Sequence, residues 1–150
     1  VEAFGGLLGT GAVATRFTGS SSADVMKAET YHVDFGTELG ATYTTFEGMW
    51  MPFHLVIMTT TGTYHIEIDT KGIYRAMLDR IFDFLESGKN KLASIEALTE
   101  SVKIMLAGRL SRERGGEAVR LDAIPASDPG FDGDAFEKAY AAKAKKIYLT

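Results

Sequence analysis

Between Tyr74 and Leu121 the apolar residues recur at helical spacing. Tyr74, Met77, Leu78, Ile81, Phe82 and Leu85 fall at i, i+3, i+4, i+7, i+8 and i+11, on one face of a helix that has to be buried. Gly88 follows the last of them, where a glycine at C′ takes the left-handed conformation and ends the helix. Ser94 then suits the N-cap of a second helix carrying Leu98, Val102, Met105 and Leu106 on one stripe. Gly115-Gly116 closes that helix, and the alternation of Val119 and Leu121 predicts a short strand.

Upstream the period shortens to two. Val1 to Leu8 is too short to classify, and suits either a strand or the end of a helix. Gly9-Thr10-Gly11 breaks it, Ala12 to Phe17 is a candidate strand, and Gly19 to Ser22 reads as a polar loop. From Tyr31 to Phe35 the alternation is strict, Gly36 to Gly40 should turn the chain, and Ala41 to Phe46 is rich in strand-favouring Thr and aromatic residues. Leu55 to Thr60 and Thr63 to Asp69 follow as two more strands. Tyr64, Ile66 and Ile68 point one way in the second, and His65, Glu67 and Asp69 the other. Thr61-Gly62 predicts a tight hairpin between them, with the glycine supplying positive φ.

Strands come first and helices second. That order predicts an α+β fold, an antiparallel sheet with two helices packed on one face, rather than β-α-β alternation. A cystatin-like or nuclear-transport-factor-like cone shares the content but not the order. Pro125 to Gly133 is Pro, Asp, Gly and Ser rich, which divides the chain into a domain over 1–124 and a linker with a short helix over 125–150. Asp134 and Glu137 form the pattern of a capping box for that helix, and Lys138, Lys143, Lys145 and Lys146 lie towards its C-terminal end, where they complement the helix dipole.

Composition narrows the function. With 150 residues and 45% hydrophobic content there is enough chain for one domain with a core. A net charge of -4 with scattered Lys and Arg argues against a nucleic-acid surface. No apolar run approaches the roughly 20 residues that cross a bilayer, so no membrane partner is expected. The absence of cysteine excludes disulfides and thiolate metal sites and fits a reducing, cytoplasmic setting.

Three places could carry chemistry. Gly9 to Ala14 matches G-x-G-x-x-A, but a dinucleotide fingerprint needs a strand before it and a long helix after it. Gly5-Gly6 weakens the first and Thr15 to Ser20 cannot supply the second, so the stretch reads as a structural turn. Of the histidines, His32, His54 and His65, none has a partner at metal-ligand spacing, although His65 and Glu67 share a strand face. Trp50 lies between strands, where it serves core, subunit contact or a ligand cleft. Trp50, His54 and His65 are the candidates for facing a substrate; no catalytic, cofactor-binding or metal residue is assigned.

The same helical segment resembles the C-terminal portion of the Gfo/Idh/MocA oxidoreductases, the glucose-fructose oxidoreductase and inositol dehydrogenase family. The matching pieces are Tyr74-Arg75, Phe84-Leu85-Glu86-Ser87-Gly88-Lys89, Ile95-Glu96-Ala97-Leu98-Thr99-Glu100 and Ser111-Arg112-Glu113-Arg114-Gly115-Gly116 before Val119-Leu121. The resemblance covers about Val1 to Ile124. It implies an open, mostly antiparallel sheet that binds substrate and pairs subunits into a homodimer through its open face. A separate Rossmann domain would hold NAD or NADP, and the parent reaction would be hydride transfer on a sugar, polyol or related hydroxy compound. The family's Glu-Lys-Pro segment has no counterpart here, and Val1-Glu2-Ala3-Phe4 resembles what directly follows its histidine motif, so no catalytic residue carries over. The proline usual after the Gly-Lys pair is replaced by Asn90-Lys91-Leu92, and residues 125–150 have no counterpart.

Overall fold

A computed structural model of the chain describes residues 2–24, 26–36, 39–89 and 93–148. The elements run α1 (Glu2–Leu8), β1 (Ala14–Ala23), β2 (Met26–Asp34), β3 (Gly40–Glu47), β4 (His54–Thr59), β5 (Gly62–Glu67), α2 (Ile73–Ser87), α3 (Ile95–Glu113), β6 (Val119–Arg120) and α4 (Gly133–Tyr148). Four strands form an antiparallel sheet in the order β3-β2-β1-β6, and β4 and β5 form a separate antiparallel hairpin. The α+β class follows. Among the described residues no helix is long and apolar enough to cross a membrane.

Strict alternation in β2 sets the two faces of the sheet. Tyr31 and Val33 are buried on one side and His32 and Asp34 are exposed on the other. The buried side carries the core, where Val33, Phe35, Val119 and Leu121 meet Ile104 and Ala107 of α3. Two registers across the sheet align three aromatic rings on that side. Phe17, Tyr31 and Tyr43 are cross-strand neighbours. The Tyr31 and Tyr43 rings stack at 4.8 Å, with Phe17 tilted on Tyr31 at 5.5 Å.

Helix α3 is capped as its sequence predicts, with Ser94 Oγ accepting from the Ala97 N–H at 3.2 Å. The face it buries is a different one. Ser101, Ile104, Ala107, Gly108 and Ser111 meet the sheet, whereas Leu98, Val102 and Met105 stay about half exposed. Small residues win because the Tyr31–Tyr43 stack rises high above the sheet. A Cβ on Gly108 would sit 2.6 Å from Tyr43 Oη and 3.1 Å from the Tyr31 ring. At Ser111 the seam becomes polar: its hydroxyl accepts from the Phe17 N–H at 2.8 Å and donates to the Glu117 carbonyl at 2.5 Å.

A charged cluster closes the same seam. Glu29 accepts from Tyr31 Oη at 2.7 Å and from Arg112 at 2.8 Å, and pairs with Lys27 at 2.7 Å. These donors, Lys27 foremost and Tyr31 next, hold its carboxyl at about 2 against an ordinary 4.5. Burial, helped by Glu29, pushes the Tyr31 phenol up to about 12.

Several expectations are corrected. The loop at Gly19 to Ser22 is strand: β1 continues to Ala23 by absorbing Thr18 in a bulge between Phe17 and Gly19, where the Thr18 hydroxyl donates to the Thr30 carbonyl at 3.0 Å. Ladder pairing with β2 outweighs weak strand propensity there. The hairpin β4–β5 turns on Thr60 and Thr61 without positive φ, since Gly62 pairs with Thr59 and the Thr59 hydroxyl braces the turn. Helix α4 starts at Gly133 because Asp132 Oδ1 accepts from the Ala135 N–H at 2.8 Å, so Asp132 caps it and not Asp134. Val1 to Leu8, left open between strand and helix end, contains α1. Val25, Thr37, Glu38 and Asn90-Lys91-Leu92 lie outside the described residues, as do the side chains of Lys143, Lys145 and Lys146.

The largest departure concerns α2. It ends at Gly88, whose φ of 67° is left-handed and whose N–H donates to the Phe84 carbonyl at 2.8 Å. Yet no residue of α2 is buried: Tyr74 is 76% and Leu85 69% exposed. The hairpin is largely exposed as well, with Leu55 and Ile57 of β4 half-buried. Periodicity selects which face of a helix is apolar, but a surface has to be present to cover it.

Two outcomes follow from the seam. Gly108→Ala should lower stability by about 1–3 kcal/mol, because the tyrosine stack must shift, read as a lower urea midpoint at unchanged slope. Glu29 has a lowered folded pKa, so its contribution is complete above the unfolded value of 4.5 and is lost as pH falls from there towards 2. Glu29→Gln should cost ~1–3 kcal/mol at neutral pH and flatten that acid limb in pH-dependent urea unfolding.

Candidate functional site

At the end of β3 the chain leaves the sheet through Gly48, whose φ of 91° turns it outward. The Ile68 N–H donates to the Phe53 carbonyl at 2.9 Å and adds a rung beyond the β4–β5 ladder. Asp69 caps the 3-10 turn at Thr70–Gly72 by accepting from the Lys71 N–H at 2.9 Å. Together they bring Trp50, Pro52 and Phe53 against Glu67 to Lys71 around a hollow of about 370 Å³. Trp50 is 75% exposed, a flat apolar surface beside a carboxylate and an ammonium group. Such a set can stack on the apolar face of a ring while Glu67 accepts from, and Lys71 donates to, its hydroxyl groups.

The three sequence candidates separate here. Trp50 lines the hollow. His54 opens β4 directly opposite Glu67, which does line it. His65 faces Val56 and lies on the same side of the hairpin as His54 and Glu67, but it does not line the hollow. Phe53, Pro52 and Lys71 were not singled out from sequence; they belong to irregular segments, where no periodicity points to a shared surface. His32 lies in the body of the sheet, over Gly40, where a Cβ would come within 2.7 Å of its ring.

A second hollow, about 490 Å³, lies between α3 and the segments that lead into β1, at Ala12 and Val13, and out of β6, at Arg120 to Asp122. Two of its carboxylates already have partners within the chain. Arg120 donates to Asp122 at 2.7 and 3.0 Å and holds that carboxyl below the usual range. Both Glu100 oxygens accept from the Gly11 N–H, at 3.0 and 2.9 Å.

That contact settles the G-x-G-x-x-A stretch. Helix α1 precedes it and β1 follows it, the reverse of the order in a dinucleotide fold, and a carboxylate already occupies the Gly11 amide that a pyrophosphate would need. Gly9 and Gly11, at φ of 75° and 130°, make the turn from α1 into β1. The residues there do not fit NAD or NADP. Among the described residues no group of three or more His, Asp or Glu could hold a metal ion.

No protein-family model, curated protein or solved structure matches the chain. The chemistry of the hollow therefore rests on its own residues.

Trp50 is the single tryptophan of the chain, which makes the site directly observable. Its emission should be that of a water-exposed indole and be strongly quenched by acrylamide. A blue-shifted, quencher-protected emission would place Trp50 in a covered environment instead.

Proposed function

We propose that the chain is the substrate-binding and subunit-association domain of an NAD(P)-dependent oxidoreductase of the Gfo/Idh/MocA kind, acting on a sugar, polyol or related hydroxy compound. It is not catalytic alone. The observation that supports this most is the run α2, left-handed Gly88, Ser94-capped α3, Gly115-Gly116 turn and β6, in the order and at the breaks that the resembling segment implies. The Trp50, Glu67 and Lys71 hollow adds a surface suited to a polyhydroxy compound. Hydride transfer needs the nicotinamide held beside the substrate carbon, and that is the work of a separate Rossmann domain.

Two copies then meet through the open face of the sheet, opposite α3, in a cytoplasmic enzyme. That face carries Arg16, His32 and Thr42 in register, and Thr30 and Thr44 whose hydroxyls hydrogen-bond at 3.2 Å. Contact there is polar more than apolar, with Phe46 as its exposed ring.

A second reading has one observation in its favour. The exposed apolar faces of α2 and the hairpin suit an association or ligand-binding module that keeps the fold without catalysis.

Calorimetric titration of the purified chain with NAD and NADP should show no saturable binding, and micromolar affinity would sink the proposal. Glucose or inositol should perturb Trp50 fluorescence under the first reading, and unchanged emission would favour a pure association module. Light scattering should give twice the 16.3 kDa chain mass under both.

A further inference from the structure

Two apolar surfaces of this chain face solvent, and they match. On α2 the exposed stripe includes Leu78, Phe82 and Leu85; on α3 it is Leu98, Val102 and Met105. Read away from the connection, the α2 set steps by three and then four residues and the α3 set by four and then three, so both span two turns and an antiparallel pair brings Leu85 to Leu98 and Leu78 to Met105, with Phe82 and Val102 in the layer between. Only the segment from Gly88 to Ser94 joins the two helices, a length that ordinarily connects antiparallel neighbours.

The α3 stripe also looks the right way. Arg112 lies two turns beyond Met105, on the same side of α3, and it reaches Glu29 of β2. That side looks towards β2 and β3, beside α1, whose Phe4 ring lies 6.4 Å from that of Tyr43 in β3. There β3 is an edge, paired over Gly40–Glu47 with β2 and with no other described strand. The hairpin follows β3 after one short segment, Gly48 to Phe53; one of its faces is apolar, with Leu55, Ile57, Tyr64 and Ile66, and the other is mixed, with His54, His65 and Glu67 beside Val56 and Met58.

We propose that β4, β5 and α2 form an arm that closes on its own chain, β4 pairing with the free edge of β3 and α2 lying antiparallel on the Leu98, Val102 and Met105 stripe. Closure makes a six-stranded sheet in the order β5-β4-β3-β2-β1-β6. The apolar side of the hairpin continues the row of Tyr31, Tyr43 and Val33 and is covered by α2. By the same alternation His54, His65 and Glu67, together with Val56 and Met58, join Arg16, His32 and Thr42 on the opposite face, which becomes one mixed surface of polar and apolar residues. Nothing in this depends on the oxidoreductase reading.

The chain contains no cysteine, so a pair of introduced thiols reports the closure without background. Leu85→Cys with Leu98→Cys replaces two exposed residues and leaves the core untouched. At low protein concentration under mild oxidation it should form an intrachain disulfide, roughly ten-fold or more faster than the control pair Arg80→Cys with Val102→Cys, whose first thiol lies on the far side of α2. Leu78→Cys with Met105→Cys should crosslink as well if the helices are antiparallel. Equal rates for test and control pairs would overturn the closure. A disulfide-linked dimer in place of the intrachain product would overturn its same-chain form, showing the arm exchanged between two copies.

Discussion

Helix α3 touches the sheet through positions that have almost no side chain, and the folded body depends on that closeness. Gly108 admits the Tyr31–Tyr43 stack, and Ser111 replaces an apolar contact with two hydrogen bonds, one to β1 and one to the turn before β6. A larger residue at either place would lift the helix, separate Ile104 and Ala107 from Val33 and Val119, and open the core that these residues share. Glu29 and Arg112 close the same seam at its solvent edge, where an ion pair reinforced by hydrogen bonds survives because one partner stays in contact with water.

The consequence is an uneven molecule. The core gathers around β1, β2, β6 and α3, with α1 lending Phe4 and Leu8, while the hairpin and α2 bury none of their apolar residues fully and leave most of them in solvent. A domain this size pays for backbone ordering with buried apolar area, and an arm that buries little contributes little. Local stability should therefore be lowest in the segment that also holds the Trp50 hollow. Ordered scaffold and ligand-facing surface are divided between two parts of one chain.

The tail is tied more firmly than its composition suggests. Arg109 of α3 forms an ion pair with Asp128, and Asp128 in turn accepts from the Gly130 N–H at 2.8 Å. The segment from Pro125 to Gly133 is thus a braced connection. Beyond it α4 presents Phe136 and Tyr140, with Phe131 packed on Phe136 at 5.6 Å.

Local rules were legible in the residues alone: the α+β class, the left-handed stop at Gly88, the Ser94 cap, the alternation of β2 and the structural turn at Gly9 to Gly11 are all fixed by short-range sterics and hydrogen bonding. Of the site, Trp50 and the shared face of His65 and Glu67 could be read, because a strand's period of two places side chains without knowledge of the fold. What required tertiary structure was every choice between competing partners. The stripe of α3 that meets the sheet is the small one, because the height of the tyrosine stack decides it. Gly19 to Ser22 joins β1 because β2 lies alongside with an unfilled ladder. Trp50 meets Glu67 and Lys71 because a backbone rung between Phe53 and Ile68 draws two irregular segments together. Sequence periodicity names the faces an element offers; only the surfaces present in space determine which of them are covered.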